Sequence, residues 1–168
     1  PWFSPPNPSS RTASSRFHTP KVTLDWQIDD QRLAYFSWAK AQKPGGINQL
    51  SPGGTPVVID DEYFKPEKMT AWELGLKTSW EAAGALVVNS AAFFQDYTDK
   101  QVSTQIVTEF GLQPRVVNAS AAEVWGVEIE ALWQPEMVDG LSLSLGYTWL
   151  DAEYSDFIQD TRSLARIA

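Results

Sequence analysis

The sequence predicts an all-β fold of antiparallel strands, about six in three hairpins, of the kind that forms a segment of a transmembrane β-barrel. Three observations carry that reading. Apolar and polar residues alternate with period two in several stretches, and helical periodicity is weak throughout the 168 residues. Short connections alternate with longer ones, as in barrels whose tight turns lie at one membrane surface and whose loops lie at the other. Seven of the eight tryptophans fall at strand ends on the apolar parity, and only Trp2 stands outside the pattern.

In the first strand Val22, Leu24 and Trp26 alternate with Thr23, Asp25 and Gln27, and Asp29-Asp30 reads as a tight turn. The second strand runs from about Arg32 to Lys40 with Phe36 and Trp38 on one parity. Residues 42–68 hold Pro44-Gly45-Gly46, Pro52-Gly53-Gly54, Pro56 and Asp60-Asp61-Glu62, the chemistry of a long loop. The third strand is the clearest: Trp72, Leu74, Leu76, Thr78 and Trp80 lie on one face, Glu73, Gly75, Lys77 and Ser79 on the other. Residues 81–85 turn the chain into a fourth strand, from Leu86 through Phe93-Phe94 and out towards Val107, whose two faces are both partly apolar. Residues 108–115, with Gly111 and Pro114, read as the next long connection. A fifth strand sets Trp125, Val127, Ile129, Ala131 and Trp133 against Val124, Gly126, Glu128, Glu130 and Leu132. After a turn over residues 135–140, a sixth sets Leu141, Leu143, Leu145, Tyr147 and Trp149 against Ser142, Ser144, Gly146, Thr148 and Leu150. Residues 151–168 show no clear seventh strand.

Composition excludes several classes. With 43% hydrophobic and 12% aromatic residues the chain is too apolar for disorder, and its length suits one ordinary domain. The longest apolar run, from Ala82 to Val88, is far shorter than the roughly 18 residues of a spanning helix. Without cysteine there is no disulfide, zinc-thiolate site or thiol catalysis. A net charge of -8 with no basic cluster argues against nucleic acid as a partner. The Pro- and Ser-rich start, residues 1–15, lacks the basic and apolar regions of a signal peptide.

The tryptophan spacing separates a membrane wall from a soluble sandwich. Trp26, Trp80 and Trp133 each precede a short turn and recur at intervals of 54 and 53 residues. Trp38, Trp72, Trp125 and Trp149 lie at the opposite ends. Eight residues separate Trp72 from Trp80, and eight again separate Trp125 from Trp133, so each pair shares a face. At about 3.3 Å per residue and a tilt near 40°, that spacing climbs roughly 20 Å, close to the apolar band between two aromatic girdles. The opposite parity, with Glu73, Lys77, Glu128 and Glu130, would then line a wet interior. The competing reading is a soluble carbohydrate-binding β-sandwich whose tryptophans form a sugar platform.

Ordered segments across residues 19–157 resemble the C-terminal barrel of TonB-dependent outer-membrane receptors. They include Thr19-Pro20-Lys21-Val22-Thr23-Leu24-Asp25-Trp26, Lys43-Pro44-Gly45-Gly46, Phe64-Lys65-Pro66-Glu67, and Trp72-Glu73-Leu74-Gly75-Leu76-Lys77. They continue with Phe93-Phe94-Gln95-Asp96-Tyr97-Thr98-Asp99-Lys100-Gln101-Val102, Asn118-Ala119, Gly126-Val127-Glu128-Ile129-Glu130 and Gly146-Tyr147-Thr148-Trp149-Leu150-Asp151-Ala152-Glu153-Tyr154. The resemblance implies a 22-stranded barrel plugged by an N-terminal domain, in the outer membrane of a Gram-negative bacterium. Such receptors take up iron-siderophore complexes or similar scarce nutrients, driven by the TonB complex. No plug, TonB-contacting segment or final aromatic-terminated strand is recognisable, so the chain resembles an internal piece of a receptor: an irregular segment over 1–18, barrel over 19–157, and loop or truncated end over 158–168.

Among candidate sites, Tyr63 and Phe64 lie in the longest loop, where they could contact a ligand at the mouth, or simply be solvated. Asp96 with Asp99, and Asp151 with Glu153 and Asp156, lack the spacing of a calcium loop and read as an acidic rim. Glu128 and Glu130 read as lumen-facing carboxylates rather than a catalytic pair. Asn118-Ala119-Ser120 fits a glycosylation acceptor by letter only. His18 has no second histidine or cysteine to make a metal site, and no nucleophile elbow, phosphate loop or dinucleotide fingerprint occurs. The expectation is therefore a transporter segment with outer-membrane lipid as its neighbour, and neither an enzyme nor a cofactor or metal carrier.

Overall fold

The computed structural model describes residues 14–48, 63–81, 83–108 and 111–154. Six long strands form one sheet: β1 (Lys21–Asp29), β2 (Arg32–Lys43), β5 (Glu67–Glu81), β6 (Gly84–Thr108), β7 (Gly111–Pro135) and β8 (Leu143–Tyr154). Two short strands, β3 (Gly46–Ile47) and β4 (Tyr63–Phe64), pair separately within the long second connection. The long strands lie in the order β1-β2-β5-β6-β7-β8, every neighbouring pair antiparallel. This is an up-and-down meander, and it contains the six strands and three hairpins expected from the alternation. The expectations for residues 1–13 and 155–168 lie outside the described residues.

One expected connection is corrected. Residues 108–115 were expected as a loop, but β7 begins at Gly111 and pairs back onto β6 as far as Thr108↔Gly111. Pro114 stands opposite Gln105 in this ladder, the described part of β8 pairs with β7 as far as Ala122↔Tyr154, and beyond it Asn48 bonds β7 at Val116. Among the described residues the hairpin runs on beyond the ends of β5 and β8. Two register shifts, between Tyr97 and Lys100 and between Lys100 and Gln101, mark where it leaves the sheet, and Asp99 there adopts φ 54°.

The turns at the other end are displaced in one direction. Ser79 N donates to Gln31 O at 2.9 Å, which sets the β1–β2 turn level with Ser79, while β5 itself continues to Glu81. Glu136 N donates to Ala83 O at 3.2 Å, so the β5–β6 turn in its own right stops short of the β7–β8 turn. Such a stagger is the shear that makes strands tilt when a sheet curves into a barrel.

The sheet has no second layer among the described residues. The one buried hydrophobic residue there is Ala122, and no large side chain is fully buried. Leu24, Leu74 and Leu145 are 62% to 64% exposed. A sandwich would have covered one such face with a second sheet about 10 Å away. Burial of this apolar surface must therefore come from outside these six strands.

Candidate functional site

Register aligns the apolar parity into rows. Trp38, Trp72, Phe94 and Trp125 are successive cross-strand partners, forming an aromatic row over four strands. Trp72 stacks on Phe94 with centroids 5.5 Å apart, and Trp125 meets Trp149 edge-on at 5.2 Å. Trp149 sits one row lower, opposite Val127, and Asp151 takes the place beside Trp125. Immediately above runs a polar row, Lys40-Thr70-Asp96-Glu123-Glu153. Towards the turns, Trp80, Leu86, Trp133 and Leu143 are likewise successive partners. Between the two aromatic rows β5, β6 and β7 carry Leu, Val, Ile and Ala, with Ser90 and Thr78 as the hydroxyl residues of the β5–β6 pair, and Arg32 of β2 stands opposite Thr78. Both hydroxyls donate to the neighbouring strand, Ser90 Oγ to Leu76 O at 3.4 Å and Thr78 Oγ1 to Val88 O at 3.1 Å. No polar side chain of these central rows in β5 and β6 therefore depends on water.

Trp26 lies opposite Ala34, which pairs with Leu76, so it is not in the row of Trp80 and Trp133. The stagger accounts for this. Trp26, Trp80 and Trp133 stand three, one and two residues before the ends of their own strands, and in a tilted sheet distance from the turn, not hydrogen-bonded row, sets height.

The other face carries Glu73, Lys77, Glu128 and Glu130, placed opposite Ser37, Leu33, Ala91 and Asn89 respectively. Tyr35 reaches across β5 from β2: its hydroxyl donates to Glu73 Oε1 at 2.7 Å, and Lys77 Nζ lies 5.6 Å from its ring centroid. Its ring occupies the space above Gly75, where any Cβ would overlap it. Phe93 lies over Gly126 in the same manner. The two glycines are what let aromatic rings lie flat across neighbouring strands on this face.

At the end away from the turns, the second connection is tied to the projecting hairpin by amide side chains. Asn48 Nδ2 donates to Val116 O at 2.9 Å, and Val116 N donates to Asn48 Oδ1 at 2.8 Å. Asn118 accepts from Lys65 N at 2.6 Å and donates to Lys65 O at 2.9 Å and Asp99 O at 2.7 Å. Gln101 Nε2 donates to Pro44 O at 2.8 Å and Lys65 O at 3.1 Å, while its backbone N–H donates to Glu67 Oε2 at 2.9 Å. Lys100 stands 3.7 Å from Glu67 and over the Tyr97 ring at 4.2 Å. Periodicity gave no hint of these amides, since the side chains bond residues 19 to 68 positions away. Tyr63 and Phe64 separate here: Phe64 packs its ring on Gly46, whereas Tyr63 is 60% exposed.

Asp96 and Asp99 do not converge. Asp96 belongs to the polar row beside Glu123, and Asp99 Oδ1 is 3.9 Å from Lys65 Nζ. Among the described residues no three His, Cys, Asp or Glu side chains form a group that could hold a metal ion. Asp156 lies outside them. Nor is any helix among them long and apolar enough to cross a membrane, which has no bearing on strands.

The family model described as TonB dependent receptor-like, beta-barrel, matches residues 3–166. The pesticin receptor of Yersinia enterocolitica serotype O:8 / biotype 1B is 32% identical over 113 residues, which is 67% of this chain and 14% of that protein. That of Yersinia pestis is 31% identical over the same length. The chain thus spans about 14% of the length of these curated relatives. Among solved structures, the ferric yersiniabactin uptake receptor FyuA from Yersinia pestis superposes with a TM-score of 0.60 at 24% identity, over 80% of this chain and 18% of that one. The alcaligin outer-membrane receptor FauA from Bordetella pertussis gives 0.53 at 21% identity, over 84% and 23%. The copper transporter OprC gives 0.54 at 20%, over 78% and 20%. At these identities the superpositions speak to a common fold.

Proposed function

The chain belongs to the TonB-dependent receptor β-barrel family of the Gram-negative outer membrane, and from that premise we propose that it forms part of the wall and outer loops of a ligand-gated transporter. Its cargo is an iron-siderophore complex or a similar scarce nutrient, and the receptor draws energy from the TonB complex through segments outside this chain. Relatives of this kind are receptors and transporters rather than enzymes. The carrying observation is the apolar band, bounded by two aromatic rows and capped by charge, on a sheet that buries almost nothing in itself.

In this arrangement the tryptophan face meets lipid, with Trp38, Trp72, Trp125 and Trp149 at one interface and Trp26, Trp80 and Trp133 at the other. Glu73, Lys77, Glu128 and Glu130 face the lumen, where charge stays hydrated. The amide-tied loop and hairpin stand at the outer mouth and present Tyr63 to incoming ligand. Barrel residues 19–157 do this work.

Uptake in a strain deleted for the full-length receptor provides the test. Accumulation of one class of ferric siderophore or comparable nutrient should fall, return on complementation, and require TonB. Unchanged uptake across ferric siderophores, cobalamin and copper complexes would refute the assignment.

A further inference from the structure

On the apolar face β6 is lower than its neighbours. Its residues there, Ser90 and Ala92, are small, while the flanking partners are Leu76 and Leu74 on β5 and Ile129 and Val127 on β7. Two shallow, open hollows of about 570 and 340 Å3, which share Leu74 and Ala92, lie along this strip and reach over β5 to Phe36 and Ala34 of β2. The upper end is closed by Phe94, flanked by Trp72 and Trp125, beneath the carboxylates of Asp96 and Glu123. Ser90 gives its hydroxyl proton to Leu76 O, so the floor offers no free donor.

We propose that this groove along β6 holds one acyl chain of a membrane lipid in a defined position. The inference rests on the reading that the tryptophan face meets lipid, and adds a specific binding site to it. The groove is continuous with that interface. Strands spaced about 4.8 Å apart place β5 and β7 roughly 10 Å from each other, and their branched side chains narrow the gap to the width of one hydrocarbon chain. Lipid tails are as apolar as leucine, so the gain comes from packing. A chain in the groove touches three strands, where one on a flat wall touches a single ridge.

The test uses the full-length receptor, purified in mild detergent and examined by native mass spectrometry for lipid carried from the membrane. Wild type should retain one lipid. Ala92→Phe and Ser90→Leu, which fill the groove, should lower occupancy about tenfold, the equivalent of losing roughly two buried methylenes. Leu145→Phe, on the same face but on β8, should retain the lipid. Equal retention in all four proteins, or none in wild type, overturns the groove. A photoreactive residue at position 145 separates the two levels of the argument. If it crosslinks membrane lipid while the groove variants change nothing, the groove alone fails. If it crosslinks no lipid, the face assignment and the groove fail together.

Discussion

Leu76→Arg probes the face assignment quantitatively. Leu76 lies four residues from Trp72 and four from Trp80 on one parity of β5, so it sits midway between the two aromatic rows. Four residues at about 3.3 Å and a tilt near 40° give roughly 10 Å of height to either interface. Arginine on the lipid face costs about 2–4 kcal/mol at the midplane and about 0–1 kcal/mol near an interface. Leu76→Arg should therefore destabilise the full-length barrel in vesicles by about 2–4 kcal/mol, and Thr70→Arg, one row above Trp72, by less than about 1 kcal/mol. Ser144→Arg, opposite Leu132 on the other face, should cost far less than Leu76→Arg. Denaturant unfolding in lipid vesicles, followed by tryptophan fluorescence, reads all three. Equal costs at Leu76 and Ser144 would refute the reasoning, because burial in lipid is what separates them.

Three further outcomes follow from the geometry. Gly75→Ala should destabilise by about 1–3 kcal/mol as its methyl displaces the Tyr35 ring, and Tyr35→Ala in the same chain should recover part of the loss; full additivity in a double-mutant cycle would show that the ring does not lie there. Asn118→Ala removes the partners of Lys65 N, Lys65 O and Asp99 O, and should cost about 1–3 kcal/mol locally. Hydrogen exchange at Lys65 should accelerate while the amides of β7 from Val127 to Ala131 stay protected, and unchanged exchange at Lys65 would contradict the tie. Tyr63→Ala should weaken ligand uptake with unfolding unaltered, since its side chain stands in solvent; undiminished uptake would remove Tyr63 from the ligand contact.

Strand parity was legible wherever a long strand is amphipathic with period two, since a slip of one residue there would invert its faces. Trp72 and Trp80 read correctly as one face without any knowledge of their neighbours. Four features were not legible, each for its own physical reason. Gly111 and Pro114 signalled a loop because both are turn formers that a strand interior disfavours, yet Pro114 stands opposite Gln105 in the β6–β7 ladder. The parity of β6 stayed open because both its faces are partly apolar, with Leu86, Val88, Ala92 and Phe94 on one and Val87, Ala91 and Phe93 on the other. The ties through Asn48, Gln101 and Asn118 join segments far apart in sequence, and an amide that substitutes for a strand partner has no local pattern. Of the candidate ligand residues, sequence could not tell that Phe64 spends its ring on Gly46 while Tyr63 stays exposed.

The central claim is that one face of this sheet meets lipid and the other meets water. Nitroxide labels placed singly at positions 72–80 of β5 in the full-length receptor, reconstituted in vesicles, test it most directly. Accessibility to oxygen should peak at 74, 76 and 78, and accessibility to a water-soluble nickel chelate at 73, 75 and 77, giving opposite phases with period two. Accessibilities that rise and fall together, or that show no alternation, would contradict the account.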